Sequence, residues 1–163
     1  MKSPLSSRSL CTGVLCLTPI LTSCGSSTTS PTVPSMNATF TATFVGSTPP
    51  PGSSLTVGSS QTFTVTASIN SSINCPAGSV TFFGVSSTVV SASCLRAFQN
   101  FPLMAGPNTV TLSQPIKTWF AGTDGCPGLP DTEALFAAPC CNGSSPACET
   151  QSLPLNVSYV VAP

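Results

Sequence analysis

The sequence predicts an all-β protein, a sandwich or barrel of short strands. Apolar and polar residues alternate along several stretches of the chain, and glycine, proline, asparagine and serine separate these stretches at short intervals. Only 5% of the 163 residues are charged. Phenylalanine, valine and isoleucine are nevertheless plentiful, and this composition favours a folded domain over disorder.

The clearest strand lies within Gln61–Ile69. Phe63, Val65, Ala67 and Ile69 share one face, and hydroxylated residues occupy the other. Because successive side chains in a strand point to opposite faces, this pattern predicts a half-buried strand. Further strands are predicted at 40–44, 80–82, 85–90, 95–101, 107–112 and 155–161.

Two stretches resemble a known family. The segment LTVGSSQTFTV (Leu55–Val65) resembles the first hairpin of bacterial Ig-like modules, and GSVTFF (Gly78–Phe83) resembles a following strand. The resemblance implies an Ig-like antiparallel β-sandwich over residues 37–163. The chain departs from the family in lacking a tryptophan between two bridged cysteines, because Trp119 follows both Cys75 and Cys94.

Residues 117–150 interrupt the strand pattern before the last strand. They contain four cysteines and all four acidic residues of the chain. We interpret them as a cysteine-rich insertion held by disulfides. Residues 130–138 predict a helix, which Asp131 would cap and Pro139 would end.

The first 23 residues have the features of a signal peptide. Lys2 and Arg8 precede a largely apolar run from Leu10 to Leu21, and this run of about 12 residues is shorter than the roughly 20 that span a membrane. A retained anchor helix, and a eukaryotic signal peptide that leaves Cys24 as an ordinary thiol, are the alternatives.

The residues Leu21-Thr22-Ser23-Cys24 resemble the bacterial lipobox. The resemblance implies cleavage before Cys24 and attachment of lipid to it, so that its partner is a lipid bilayer. Residues 24–36, rich in serine, threonine and proline, would then form a tether. Position 25 is glycine rather than aspartate, which by similarity to enterobacterial lipoproteins favours the outer membrane, facing the periplasm or the cell surface.

The cysteine count agrees with this interpretation. The chain has nine cysteines. Because this number is odd, they cannot all pair in disulfides within one exported chain. Cys11 and Cys16 would leave with the signal peptide and Cys24 would carry lipid. Six cysteines remain for three disulfides in an oxidising compartment: Cys75, Cys94, Cys126, Cys140, Cys141 and Cys148. We prefer Cys75 with Cys94, Cys126 with Cys140 or Cys141, and the remaining neighbour with Cys148.

Residues suited to chemistry are scarce. The chain has no histidine, which excludes Ser-His-Asp and Cys-His catalysis. We expect disulfides rather than zinc thiolates, no cofactor and no metal. The basic residues form no cluster, which argues against a nucleic-acid partner. The insertion offers one candidate ligand site, in which Trp119 and Phe120 would stack on a glycan or Asp124, Asp131 and Glu133 would bind calcium. Core packing and a solvated loop are the simpler interpretations.

The sequence therefore supports two candidate functions. The first is a membrane-anchored exported lipoprotein that acts without catalysis, as a structural, adhesive or assembly module with a protein or glycan partner in the cell envelope. The second is a module that binds a glycan or calcium through the acidic, aromatic insertion. Enzymatic activity is the least supported class.

Overall fold

The computed structural model describes residues 38–87, 94–120, 128–142 and 151–163. These residues form eight strands and one short helix. The elements in chain order are β1 (Phe40–Thr48), β2 (Ser54–Thr56), β3 (Thr62–Ser71), β4 (Ser79–Ser86), β5 (Arg96–Asn100), β6 (Gly106–Pro115), α1 (Ile116–Trp119), β7 (Asp131–Cys140) and β8 (Leu153–Ala162). The predicted all-β class is confirmed.

The strands form two sheets. One sheet has the order β1-β3-β6 and the other the order β2-β8-β7-β4-β5. All pairings are antiparallel except the short parallel pairing of β2 with β8. With β1, β3 and β6 taken as strands A, B and E, and β4, β7 and β8 as C, F and G, the sheets have the Ig arrangement. The predicted Ig-like sandwich is therefore confirmed.

Strand β3 has the predicted alternation. Phe63, Val65, Ala67 and Ile69 are fully buried, whereas the intervening hydroxyls face outward. Across the β3–β6 pairing, the hydroxyls of Thr64 and Ser113 lie 2.7 Å apart, and those of Thr66 and Thr111 lie 3.0 Å apart. Paired hydroxyl groups, rather than charged side chains, thus make the outer face of this sheet polar.

Aromatic rings fill the centre of the sandwich. The Phe63 ring lies 4.8 Å from that of Trp119 and 4.9 Å from that of Tyr159, measured between centroids. Phe82 contributes from β4, with its centroid 6.5 Å from Trp119. Trp119 has no exposed surface, and its Nε1 has no hydrogen-bond partner among the described residues. Rings from both sheets and from α1 therefore form one core.

The predicted helix at 130–138 is wrong. Residues Asp131–Cys140 form β7, which is paired on one side with β4 and on the other with β8. Glu, Ala and Leu are good helix formers, but sheet pairing and burial on alternate residues override that preference. Residues 117–150 therefore supply a central strand as well as the cysteines that precede β8.

Because Trp119 is the sole tryptophan, its fluorescence reports on the core. We expect a blue-shifted native emission that resists acrylamide quenching, since the ring is fully buried, and a red shift on unfolding in urea.

Trp119→Ala should lower the free energy of unfolding by about 3–5 kcal/mol, measured by circular dichroism. The matched control is Phe98→Ala, because Phe98 is 41% exposed. A native spectrum that acrylamide quenches freely would contradict this burial.

Candidate functional site

Several of the predicted site residues are buried in the structure, and others lie outside the residues that it describes. Trp119 is 0% and Phe120 6% exposed. Neither ring has enough exposed surface to stack on a sugar. The glycan interpretation of these two residues is therefore wrong, and both belong to the core. Cys24, Asp124, Cys126 and Cys148 lie outside the described residues.

The two carboxylates at the start of β7 point into the protein. Asp131 is only 8% exposed. Its Oδ2 accepts a hydrogen bond from the Ser86 hydroxyl on β4, and its Oδ1 accepts one from the Thr132 backbone N–H at 2.8 Å. Asp131 therefore binds the end of β4 instead of capping a helix.

Glu133 is completely buried. Its Oε1 accepts from the backbone N–H of Cys94 and its Oε2 from that of Leu95, each at 3.0 Å. These two groups precede β5, which is separated from β7 by β4. The side chain therefore reaches past one strand to hold the beginning of the next.

Gly84 on β4 makes this reach possible. A Cβ atom at this position would overlap the Glu133 carboxylate and lie 2.9 Å from the Glu133 Cβ. The Gly84 backbone N–H also donates to the Leu95 carbonyl at 2.7 Å. The glycine thus leaves room for the carboxylate while its backbone still pairs with the same segment.

Burial raises the pKa of Glu133 above its ordinary value of 4.5. The hydrogen bonds from Leu95 and Cys94 oppose this shift because they favour the anion, and the nearby Asp131 charge adds to it. Burial likewise raises the pKa of Tyr159, while the hydrogen bond between its hydroxyl and Ser47 lowers it. Both side chains are thus engaged inside the protein, Glu133 by backbone N–H groups and Tyr159 by the Ser47 hydroxyl.

The calcium interpretation of Asp131 and Glu133 is therefore wrong. Calcium requires six to eight oxygen ligands, and the oxygens of both residues are already directed at hydrogen-bond donors of the protein. Within the described ranges, no group of three or more acidic or cysteine side chains is arranged to hold a metal ion.

Disulfides join distant parts of the domain. Cys75, in the connection after β3, is bonded to Cys141, which directly follows β7. The preferred pairing of Cys75 with Cys94 is therefore wrong. The isolated bridge of Ala77 with Asn142 brings the two connections together, a proximity that sequence spacing does not reveal. Cys94 and Cys140 are also disulfide-bonded.

Sequence reasoning missed the aromatic residues outside the core. The rings of Phe83 on β4 and Phe136 on β7 stack with centroids 5.6 Å apart, on the face of the sheet opposite to Phe82 and Leu135. Phe98 on β5 is 41% exposed. The alternation of β4 was the available signal, because Phe83 falls out of phase with Val80 and Phe82.

The described residues contain no helix with the length and hydropathy needed to cross a membrane. The helix α1 has four residues.

No family model and no curated protein matches the chain. Among solved structures, it is similar to a β-glucosidase from Listeria innocua in complex with gluconolactone (TM-score 0.44, 15% identity, 78% of this chain and 16% of that one). The same enzyme in complex with glucose gives a TM-score of 0.41 at 13% identity, over 78% of this chain and 16% of that one. A CARDB domain from Pyrococcus furiosus gives a TM-score of 0.36 at 11% identity, over 77% of this chain and 95% of that one. The chain thus spans about a sixth of the β-glucosidase.

The raised pKa of Glu133 predicts a pH dependence of stability. The folded chain binds this proton more tightly than the unfolded chain, so the contribution is fully present below pH 4.5 and is lost as pH rises through the raised folded pKa. Glu133→Gln should flatten this slope. It should also lower the free energy of unfolding by about 1–3 kcal/mol, because the amide nitrogen of glutamine is a donor and would face one of the two backbone N–H groups.

Urea unfolding at a series of pH values, followed by Trp119 fluorescence, measures both effects. Thr132→Gln, on the exposed side of the same strand, is the control that should change neither. A slope that survives Glu133→Gln would assign the pH dependence to another group.

Removing the Cys75–Cys141 bond should also destabilise the fold. The bond spans 66 residues of sequence, and loop closure over that length predicts a loss of about 4 kcal/mol. The double variant Cys75→Ser, Cys141→Ser should therefore unfold at lower urea concentration, with a larger shift than Ser72→Ala in the same connection. Equal midpoints would contradict a stabilising role for the bond.

Proposed function

We propose that the chain is an exported lipoprotein, anchored to a membrane through Cys24, whose β-sandwich acts as a non-enzymatic structural, adhesive or assembly module of the cell envelope. The observation that carries this proposal is the oxidised state of the domain. Cys75, Cys94, Cys140 and Cys141 are all disulfide-bonded, and such bonds persist in exported proteins but are rare in reducing compartments.

Export agrees with the N-terminal sequence. A basic segment, a short apolar run and a small residue before Cys24 describe a signal peptide. Lipid on Cys24 would give stable attachment, because each buried CH₂ contributes roughly 0.8 kcal/mol and two acyl chains hold a protein where one binds marginally. Glycine at position 25 favours the outer membrane.

A role in assembly fits the described chemistry better than catalysis. The two acidic side chains of β7 are engaged in holding β4 and the start of β5. The chain has no histidine to serve as a general base. The aromatic residues left outside the core are Phe83, Phe98 and Phe136 on the five-stranded sheet, and exposed aromatic side chains are enriched at protein interfaces.

The anchor is tested by Cys24→Ala. In the native bacterium the wild-type chain should take up labelled palmitate and sediment with membranes. The variant should lose both properties, because the acceptor sulfur is gone, and inhibition of the lipoprotein signal peptidase should make the wild-type precursor accumulate. Cys16→Ala, eight residues earlier, is the control that should keep both. Palmitate labelling that persists in Cys24→Ala would refute the anchor.

A further inference from the structure

The disulfide partners of Cys94 and Cys140 are not each other. Both cysteines are bonded, but they lie toward opposite ends of β4. Cys140 is paired with Ser79 in the ladder, and the residue after Cys94 is hydrogen-bonded to Gly84. The five residue steps from Ser79 to Gly84 cover about 17 Å, whereas the Cα atoms of a disulfide lie no more than about 7 Å apart.

The partners are therefore cysteines outside the described residues. Two remain once the bonded pair of Cys75 and Cys141 and the three N-terminal cysteines are set aside: Cys126 and Cys148. This step rests on the proposed function, because the N-terminal cysteines are available as partners unless the signal peptide is removed and Cys24 carries lipid. Two pairings are then open, and they differ in which cysteine is bonded to Cys140.

The length of β7 decides between the two pairings. The strand runs from Asp131 to Cys140, and nine residue steps of strand cover about 30 Å. Cys126 is five residues before Asp131, and five residues reach at most about 18 Å in any direction. Cys126 therefore stays about 12 Å or more from Cys140, beyond the span of a disulfide. This distance argues against the preferred pairing of Cys126 with Cys140.

Cys94 lies at the end of β7 that Cys126 can reach. Its backbone N–H donates to the Glu133 carboxylate, so the two residues are one side chain apart. Glu133 is two residues after Asp131, and Cys126 is five residues before Asp131. A segment of that length is long enough to return to Cys94. Cys126 is thus within reach of Cys94 and out of reach of Cys140.

We propose that the two remaining disulfides of the exported chain are Cys94–Cys126 and Cys140–Cys148. Cys148 belongs to the connection that leaves β7 at Cys140 and enters β8 beside Ala137, so that one bond closes this end of the sheet and the other closes the end where β5 begins. As each bond forms, two thiols lose two protons and two electrons to a disulfide of an envelope oxidoreductase, which becomes a dithiol.

Peptide mapping of the unreduced chain tests this pairing. The full chain is purified from native membranes, its free thiols are blocked, and trypsin, chymotrypsin and a glutamate-specific protease cut it. Cuts after phenylalanine, arginine and glutamate place Cys94, Cys126 and Cys148 in three different peptides: 84–96, 121–133 and 137–149. We expect 84–96 to be joined to 121–133 and to nothing else. A bond from 137–149 to either of these two peptides would overturn the proposal.

Free thiols in two double variants give an independent measurement. Cys94→Ser with Cys126→Ser removes one whole bond, so after denaturation it should show no more thiols than the wild type. Cys94→Ser with Cys148→Ser is the matched control, and it should show two more thiols, because Cys126 and Cys140 lose their partners and cannot reach each other. Maleimide labelling and intact mass count the thiols. Equal counts in the two variants, or the reverse difference, would overturn the pairing.

The outcomes separate the pairing from the anchor. If Cys24 carries no lipid, every variant and the wild type gain the same thiol, and the difference of two between the double variants remains. Failure of the anchor therefore appears in the palmitate labelling and not in this difference. A bond from Cys94 or Cys140 to an N-terminal cysteine, or a wild-type chain whose cysteines are all free, overturns the pairing itself.

Discussion

The Glu133 carboxylate is the interaction on which the five-stranded sheet depends. It lies on β7, passes β4 at Gly84, and accepts the backbone N–H groups of Cys94 and Leu95. Burying a carboxylate is costly unless donors surround it, and two charge-assisted bonds offset that cost. Cys94 and Leu95 are both buried directly before β5, and the carboxylate accepts one hydrogen bond from each. The start of the edge strand is thus held by a side chain two strands away, in addition to the backbone pairing of β5 with β4.

The chain has few charged residues, and two of them are used inside the protein. Only 5% of the residues are charged, and two of the four acids lie inside, 8% and 0% exposed. The outer face of the β1-β3-β6 sheet is made polar by hydroxyl groups instead, and some of these hydroxyls are hydrogen-bonded to each other. Few charges remain to repel another strand, so prolines, a bulge and short length protect the edges at β1, β2 and β6.

The strands whose alternation is simple could be predicted from the sequence, and β3 is the best example. Strand β7 could not, because Asp131 and Glu133 occupy inward positions where an apolar residue would signal a strand. Its Ala and Leu residues also favour a helix. Only the pairing with β4 and β8 decides the conformation. The bond between Cys75 and Cys141 was hidden for a related reason, since it depends on two connections that meet only after the sheets form.

The same reasoning explains why the candidate ligand residues belong to the core. A lone tryptophan beside a phenylalanine, and two acids two residues apart, look like a binding surface when only the sequence is considered. In the folded chain Trp119 contacts Phe63 and Phe82, and the acids hold backbone and hydroxyl donors.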